Sequence, residues 1–195
     1  MEVIIGTNNQ GKLGEIKSSL ATSQITFLSY IERLGKEIDF PETGTTFKEN
    51  ALEKAKNYAD YLNLPVLADD GGLILEAFPD LLGLKTARFF KKGLNDSQKN
   101  QQLFDLMLGE ENRKLSLYAA VAYVYPDGKY LLVEEVLQGE LTEKEIGDLG
   151  YGFDKCFYLP NEKKTLAELP LEERNAYSPR VRALKKIVEQ IEKEG

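Results

Sequence analysis

Apolar positions in the first part of the chain change from a continuous run to a helical repeat. Val3–Ile5 predicts a short buried strand, and Leu13, Ile16 and Leu20 then recur at spacings of three and four residues. A helix is therefore predicted from Gly11 onward. The polar turn before it links the end of a strand to the N-terminus of a helix.

The next amphipathic segment begins at Thr46. Thr46 and Glu49 have the spacing of a capping box, in which two side chains satisfy the first backbone N–H groups of a helix. An apolar stripe follows at positions 47, 51, 55, 59 and 62. A second short strand is predicted at 65–68, and the polar and glycine residues 69–72 are expected to end it abruptly.

The second half of the chain predicts a helix, a hairpin and a final helix. The first helix extends from Asn95 to Leu108, and two apolar segments on either side of the turn at 126–128 predict a β-hairpin. The final helix is predicted to begin with Ser178 as N-cap and Pro179 in its first turn. Because helices and strands interleave, the fold class is α/β or mixed α+β.

The composition is that of an ordinary globular protein. The chain has 195 residues, enough for one domain or two small lobes, and 42% of them are apolar and 29% charged. No apolar run approaches the roughly 20 residues that span a membrane, and no signal peptide is expected. Cys156 is the single cysteine. It is expected to lie in the core, and a reducing cytoplasm is predicted.

Charge and the lack of histidine narrow the function classes. The net charge of −7 argues against binding to duplex DNA, but it leaves room for a small phosphate ligand in a local pocket. The absence of histidine excludes Ser-His-Asp and Cys-His catalysis and every histidine-based zinc site. A hydrolase built from this chain would need carboxylates, metal ions and a water nucleophile.

The turn GTNNQGK fits the opening of a phosphate-binding loop. Gly6, four further residues and Gly11-Lys12 match that pattern, but Leu13 stands where a Ser or Thr hydroxyl would hold magnesium. The strand–turn–helix setting favours an anion, because free N–H groups and the helix dipole meet there. Lys12 is either a phosphate ligand or a solvated lysine.

Three carboxylates are candidates for holding magnesium: Glu42, Asp69 and Asp70. Two adjacent aspartates after a strand are not both stable as buried anions without a nearby cation, and magnesium favours one or two carboxylates plus phosphate oxygens. The alternative is a solvated turn. Lys54 lies one helical turn after Asn50 and is either a phosphate contact or a surface lysine.

A loop rich in glycine and aromatic residues precedes the C-terminal segment. Tyr151, Phe153 and Asp154 either form a wall that stacks on and hydrogen-bonds a base, or simply pack against the protein. Arg180 and Arg182 lie near the start of the final helix, where arginines are usually at the surface. Arg180 is the stronger candidate, because the residues before it fix its place at that terminus.

Seven segments, in order over nearly the whole chain, resemble the inosine triphosphate pyrophosphatase family. They are GTNNQGK, ETGTTFKENALEKA, LPVLADDGGL, TARFF, GYGFDKCF, KTLAELPLEERN and SPRVRAL. The resemblance implies cleavage between the α- and β-phosphates of a purine nucleoside triphosphate, with magnesium as cofactor. It also implies a homodimer and an elongated α/β fold, in which one domain over 1–195 has a central mixed sheet and an active-site cleft between two lobes.

The resemblance also assigns site residues. The metal ligands it implies are Glu42, Asp69 and Asp70. The catalytic residues are Asp70, as the acceptor of the water proton, and Lys12. The residues implied around the triphosphate are Thr7, Asn8, Asn9, Gln10, Gly11, Lys12, Lys54 and the backbone of Gly71. The residues implied around the nucleoside are Tyr151, Gly152, Phe153, Asp154, Arg174, Pro179 and Arg180.

This chain departs from the pattern of the family at four of its positions. Pro179 stands where the family usually has a histidine that helps to recognise the purine, and Arg174 stands where a lysine is usual. Gly71 replaces a serine and Lys155 a proline. The metal and triphosphate residues are kept while the base pocket is altered, so selectivity for 6-oxo purines is predicted to be relaxed or shifted.

Two other functions are open on the residues alone. A P-loop-like kinase or ATPase would act at the γ-phosphate, and Leu13 is its main obstacle. A nucleotide-binding protein that has lost turnover would fit the changes at Pro179 and Gly71, but it would not need carboxylates for a water-activating metal. The products formed separate all three functions.

Overall fold

The computed structural model describes residues 1–91 and 93–194. In these residues the strands are β1 Glu2–Ile5, β2 Thr26–Ser29, β3 Val66–Leu75, β4 Lys114–Val124, β5 Tyr130–Leu141, β6 Phe157–Leu159 and β7 Lys164–Thr165. They form one sheet in the order β2-β1-β3-β4-β5-β6-β7. The helices are α1 Gln10–Ser19, α2 Tyr30–Leu34, α3 Phe47–Leu62, α4 Thr86–Phe89, α5 Asp96–Leu106, α6 Leu171–Tyr177 and α7 Pro179–Glu194. Short 3₁₀ turns occupy Gly83–Lys85 and Leu166–Glu168.

The sheet is mixed, as predicted. Strand β1 is parallel to β2 and to β3, whereas β6 is antiparallel to β5 and to β7. Ile5 at the end of β1 is in register with Leu67 of β3. The residues that follow Ile5 therefore leave the sheet beside the continuation of β3, which places the turn before α1 next to Asp69 and Asp70.

The prediction that the second strand ends at 68 is wrong. Strand β3 continues through both aspartates and both glycines to Leu75. Strand β1 pairs with Val66 and Leu67 only, and β4 is the neighbour of β3 on its other side, so this segment stays in the sheet although β1 has ended. Asp69 does not need to turn toward water, because lysine and arginine side chains reach it inside the protein.

The other predicted elements are confirmed with small shifts at their ends. Asn95 is the N-cap of α5, and the helix ends at Leu106. The hairpin forms from β4 and β5, and α7 begins at Pro179. Thr46 caps α3 by accepting a hydrogen bond from the N–H of Glu49 at 3.1 Å. The Glu49 side chain accepts from Thr45, one residue earlier than a capping box predicts.

The chain divides into two compact units, each with its own hydrophobic core. The first unit contains residues 1–71 and 119–135 and the segment from 179 onward, and the second contains 72–118 and 136–178. The core of the first unit includes Ile5, Ile16, Leu67, Tyr123 and Leu184. The core of the second includes Leu73, Leu103, Met107, Cys156 and Phe157. The prediction of a single domain over 1–195 stays a prediction.

Cys156 is buried with 1% of its surface exposed, which confirms its predicted place in the core. In the described parts of the chain, no helix has both the length and the apolar character needed to cross a membrane.

The packing of Gly139 gives a first prediction. A Cβ at this position of β5 would overlap the Phe157 ring and lie 2.5 Å from the Tyr158 carbonyl oxygen, which belongs to the paired strand β6. Gly139→Ala is expected to lower the free energy of unfolding by about 1–3 kcal/mol, measured by urea denaturation, because an overpacked core must shift. The control is Gly14→Ala in α1, where a Cβ would meet no atom within 4 Å. Alanine there should stabilise the protein by about 0.5–1 kcal/mol. Equal effects of the two substitutions would contradict the packing argument.

Candidate functional site

The turn between β1 and α1 is ordered by its own side chains. The Gly6 N–H donates to the Leu67 carbonyl oxygen at 2.8 Å. The Asn9 N–H donates to the Thr7 hydroxyl at 3.2 Å, and the Asn9 side-chain oxygen accepts from the Lys12 N–H at 3.1 Å. Asn9 is therefore the N-cap of α1. The strand–turn–helix arrangement that the sequence predicts is confirmed.

Gly6 is required where this turn begins. A Cβ on Gly6 would lie 2.8 Å from the Tyr58 ring, so a larger residue would push the strand end away from α3. Thr7 is buried, whereas the next three residues of the turn, Asn8, Asn9 and Gln10, are exposed. The turn thus presents polar side chains to solvent from a fixed backbone.

Asp69 is a buried anion that holds two cations. Its side chain is 1% exposed, and its Oδ2 lies 2.8 Å from Lys12 Nζ and 2.9 Å from Arg180 Nε. The second guanidinium contact of Arg180 is with the carboxylate of Glu15. These four side chains come from α1, β3 and α7. The alternatives in which Lys12 is solvated and Arg180 lies at the surface are therefore wrong.

The neighbouring cations keep Asp69 ionised by lowering its pKa. Burial by itself would raise the pKa of Asp69, but Lys12 and Arg180 lower that pKa well below its usual range. Burial lowers the pKa of Lys12, and the Asp69 carboxylate opposes that shift. Asp69 Oδ1 is buried and has no hydrogen-bond partner among the described residues. Asp69 is thus an anion with one paired oxygen and one unpaired oxygen.

Lys54 connects Glu42 to the same region. Its ammonium group contacts the Glu42 carboxylate and donates to the Asp69 carbonyl oxygen at 3.2 Å. Burial would lower the pKa of Lys54, but the nearby carboxylates of Asp69 and Glu42 raise it above its usual value. Lys54 is 18% exposed, so the alternative of a surface lysine is wrong.

Helix α3 also fixes the loop that carries Glu42. Glu53 accepts hydrogen bonds from the N–H of Thr43 at 2.8 Å and from its hydroxyl at 2.7 Å. Glu49 accepts in the same way from Thr45, at 2.6 and 2.7 Å. Two glutamates one turn apart on the helix therefore hold the residues that follow Glu42.

Asp70 is held by neutral donors. Asn50 Nδ2 donates to Asp70 Oδ2 at 3.0 Å, and the Gly71 N–H donates to Oδ1 at 2.9 Å. Burial raises the pKa of Asp70, and the hydrogen bond from Asn50 opposes that shift. A carboxylate with a raised pKa and neutral partners is a better proton acceptor than one neutralised by direct ion pairs.

The donor set of these carboxylates fits magnesium. Magnesium takes oxygen ligands, often one or two carboxylates together with phosphate oxygens and water. Asp69 Oδ1 is a buried carboxylate oxygen without a partner in the described chain, and the neighbouring Asp70 supplies two more oxygens. In residues 1–91 and 93–194, no three acidic or cysteine side chains already form a metal-binding group. That Glu42, Asp69 and Asp70 share a metal stays a prediction.

The aromatic loop belongs to the second unit and has a charged pair of its own. Asp154 Oδ2 accepts from the Tyr151 N–H at 3.1 Å and lies 3.6 Å from Arg174 Nε. Gly150 has a positive φ of 80°, and a Cβ there would collide with the Asp154 carboxylate. The predicted nucleoside residues Tyr151, Asp154 and Arg174 are thus brought together.

The remaining residues of this loop pack or are anchored by α5. The Gly152 N–H donates to Asp96 at 2.7 Å, and its carbonyl oxygen accepts from buried Asn100 at 3.3 Å. The Phe153 ring packs against Phe90, with ring centroids 5.8 Å apart, and against the core of the unit. Phe153 therefore packs within its unit, and its contact with a nucleoside stays a prediction. Tyr151 is 40% exposed and stays available as a base-stacking surface.

Pro179 and three residues outside the predicted set complete the description. Pro179 is buried at the start of α7, directly before Arg180. Glu15, Asn50 and Asn100 were missed, although each contacts a predicted site residue. Only Asn50 had a signal in the sequence, because it lies four residues before Lys54 on the same helix face.

These features define an α/β protein with a buried cluster of cations and carboxylates beside the carboxyl end of β1, a position at which such sheets bind ligands. The chain belongs to the Ham1 family, whose sequence model matches residues 3–190. This assignment confirms the family resemblance that the sequence motifs indicate.

This chain is similar to curated relatives and to solved structures along almost its full length. The chain is 37% identical over 197 residues to a dITP/XTP pyrophosphatase of Aquifex aeolicus, covering 96% of this chain and 95% of the relative. It is 37% identical over 194 residues to a protein of that name in Thermus thermophilus, covering 97% and 91%. The Ham1 protein structure from Coxiella burnetii matches with a TM-score of 0.86 and 30% identity, covering 99% of both chains. That of Staphylococcus aureus matches with a TM-score of 0.85 and 28% identity, covering 100% of both.

Proposed function

We propose that this protein hydrolyses nucleoside triphosphates, including the deaminated purine nucleotides ITP, dITP and XTP, to the monophosphate and pyrophosphate. The observation that carries the proposal is the position of Asp70 next to a buried Lys12–Asp69–Arg180 cluster. Lys12 and Arg180 supply positive charge for a polyphosphate. Asp70, which follows Asp69 on β3, supplies a carboxylate for a water nucleophile. The names of the curated relatives support the same activity.

The triphosphate is proposed to bind along the turn before α1 and the nearby lysines. Lys12 and Lys54 are held by carboxylates before any substrate arrives, so little side-chain entropy remains to be lost on binding. Backbone N–H groups at the start of α1 and at Gly71 add neutral donors. These groups would neutralise the negative charge that develops on the phosphates as the bond breaks.

Asp70 is proposed to accept the proton of the attacking water. Burial raises its pKa, and Asn50 and the Gly71 N–H orient its two oxygens. Magnesium held by Glu42, Asp69 and Asp70 would polarise the phosphate oxygens and lower the pKa of a bound water. The bond between the α- and β-phosphates breaks, the water oxygen and one proton enter the products, and pyrophosphate leaves.

The nucleoside is proposed to contact the loop Tyr151–Asp154 with Arg174, and Pro179 next to Arg180. Tyr151 offers an exposed ring, and the Asp154–Arg174 pair offers both an acceptor and donors for the edge of a base. Pro179 has no side-chain donor, unlike the histidine usual in the family. Relaxed or shifted selectivity for 6-oxo purines therefore belongs to this proposal. The homodimer and the cytoplasmic location that the resemblance implies also belong to this proposal.

Product identity tests the proposal. The protein is incubated with magnesium and, separately, ITP, XTP, dITP, ATP or GTP, and pyrophosphate and orthophosphate are assayed in parallel. We expect pyrophosphate and the monophosphate in equal amounts. Orthophosphate and the diphosphate would instead support cleavage at the γ-phosphate, and tight binding without either product would support a nucleotide-binding protein.

The same panel tests selectivity. If the missing histidine relaxes base recognition, the ratio of kcat/KM for ITP over ATP should be smaller here than in a relative that has the histidine. Comparable ratios in the two proteins would count against altered selectivity without affecting the proposed reaction.

A further inference from the structure

Asn50 is a buried polar residue that reaches from a helix to a carboxylate on a strand. It lies in α3, is 4% exposed, and donates from Nδ2 to Asp70 Oδ2 at 3.0 Å. The donor to the other oxygen of Asp70 is the N–H of Gly71, the next residue in the chain. Asn50 therefore supplies the contact that fixes the Asp70 carboxylate relative to a different element of the fold.

The other end of the Asn50 amide faces the loop that carries Glu42. A Cβ on Gly44 would lie 2.6 Å from Asn50 Oδ1, so the backbone of that loop packs directly on the amide. The loop is pinned to the same helix by the two hydrogen bonds from Thr43 to Glu53. The Asn50 side chain thus lies between Asp70 and the segment that begins with Glu42.

The orientation of this amide is determined by Asp70. Asn50 Oδ1 is buried without a hydrogen-bond partner among the described residues, and an unsatisfied buried acceptor is unfavourable. Rotating the amide by half a turn would place Oδ1 against the Asp70 carboxylate, oxygen against oxygen. The protein therefore keeps an unpaired oxygen next to Gly44 in order to direct a donor at Asp70.

We propose that Asn50 is a positioning residue that sets the Asp70 carboxylate relative to the Glu42 loop. This inference rests on the proposed function, because Asp70 is the proton acceptor there. Asn50 acts through Asp70 and does not contact the substrate. Its loss leaves the Asp70 carboxylate held only by the neighbouring Gly71 N–H, so the proton acceptor spends less time in the productive orientation.

The decisive variant is Asn50→Leu, which keeps approximate shape and removes both the donor and the unpaired oxygen. The substitution leaves Asp70 Oδ2 without its donor, so some loss of stability is expected, and kcat is compared under conditions in which circular dichroism shows both proteins to be folded. We expect kcat for pyrophosphate release to fall by about 10–100-fold, the usual effect of removing a residue that orients a ligand or catalytic group. KM for the nucleotide should stay within about threefold, since the phosphate contacts are kept. Asn50→Ala should give the same pattern.

The control is Asn57→Ala, seven residues further along the same helix and outside the contacts of Asp70. It should keep both kcat and KM. A kcat for Asn50→Leu that equals wild type, or a rise in KM at unchanged kcat, would overturn the positioning role.

A crystal structure of the Asn50→Leu protein is the readout that does not depend on activity. We expect the Asp70 carboxylate to be rotated or to occupy more than one orientation. An Asp70 side chain that keeps its wild-type position would overturn the inference. Wild-type protein in the same product assay separates the two claims, because a wild type that releases no pyrophosphate would refute the proposed function and not the effect of Asn50 on Asp70 geometry.

Discussion

Asp70→Asn is expected to lower kcat for pyrophosphate release by about 10³-fold, within the 10²–10⁴-fold range typical of a general base. The asparagine keeps the size of the side chain, and one of its polar atoms can still meet Asn50 or the Gly71 N–H. It cannot accept the proton of the attacking water. The loss should therefore appear in kcat under saturating nucleotide and magnesium.

Binding and folding should survive this substitution. Affinity for magnesium-free ITP, measured by calorimetry, should change by less than about threefold, because Lys12, Lys54 and Arg180 are untouched. The matched control is Asp60→Asn, which makes the same chemical change at an exposed position of α3 and should leave kcat unchanged. Residual turnover by the Asp70 variant near the wild-type rate would remove Asp70 from the role of proton acceptor.

Asp69→Asn is expected to lower the free energy of unfolding by about 3–5 kcal/mol, the usual cost of removing one partner from a buried ion pair. Lys12 and Arg180 both contact Asp69 Oδ2, at 2.8 and 2.9 Å. Without that anion the two cations face each other in a buried cluster, although the Glu15 carboxylate still compensates Arg180. Urea denaturation near pH 7 measures the loss, with Asp60→Asn as a control of nearly wild-type stability.

The pH dependence of that difference gives a second check on Asp69. Its pKa in the folded state lies below the value of about 3.9 for an unfolded aspartate. The stabilisation is therefore fully present above the unfolded pKa and is lost as the pH falls toward the folded pKa. The difference in unfolding free energy between wild type and Asp69→Asn should shrink from pH 6 to pH 3. A difference that stays constant over this range would mean that the charge of Asp69 does not stabilise the fold.

The elements whose signals are local could be predicted from the sequence. The cap at Asn95, the hairpin turn at 126–128 and the start of the last helix at Pro179 follow from hydrogen bonds and backbone angles within a few residues. The conformation of these elements depends mainly on residues that are close in the sequence.

The residue types of the site could be predicted from the sequence, but the contacts between those residues could not. Lys12, Lys54, Asp69 and Asp70 are unusual because charged residues adjoin buried strands and a polar turn. Their partners come from distant parts of the chain, as in the contact of Arg180 with Asp69, 111 residues apart. No local pattern distinguishes a lysine that pairs with a buried aspartate from one that extends into water.

The continuation of β3 and the contact of Asn50 with Asp70 depend on the tertiary structure. The run Asp-Asp-Gly-Gly is typical of a turn, but the pairing of β3 in the sheet and the cations around Asp69 keep it extended. The Asn50 amide could have faced solvent on an amphipathic helix, and the packing of α3 buries it against Asp70. In both places the free energy of a buried charge or amide depends on which groups surround it in three dimensions, and the chain order does not specify those groups.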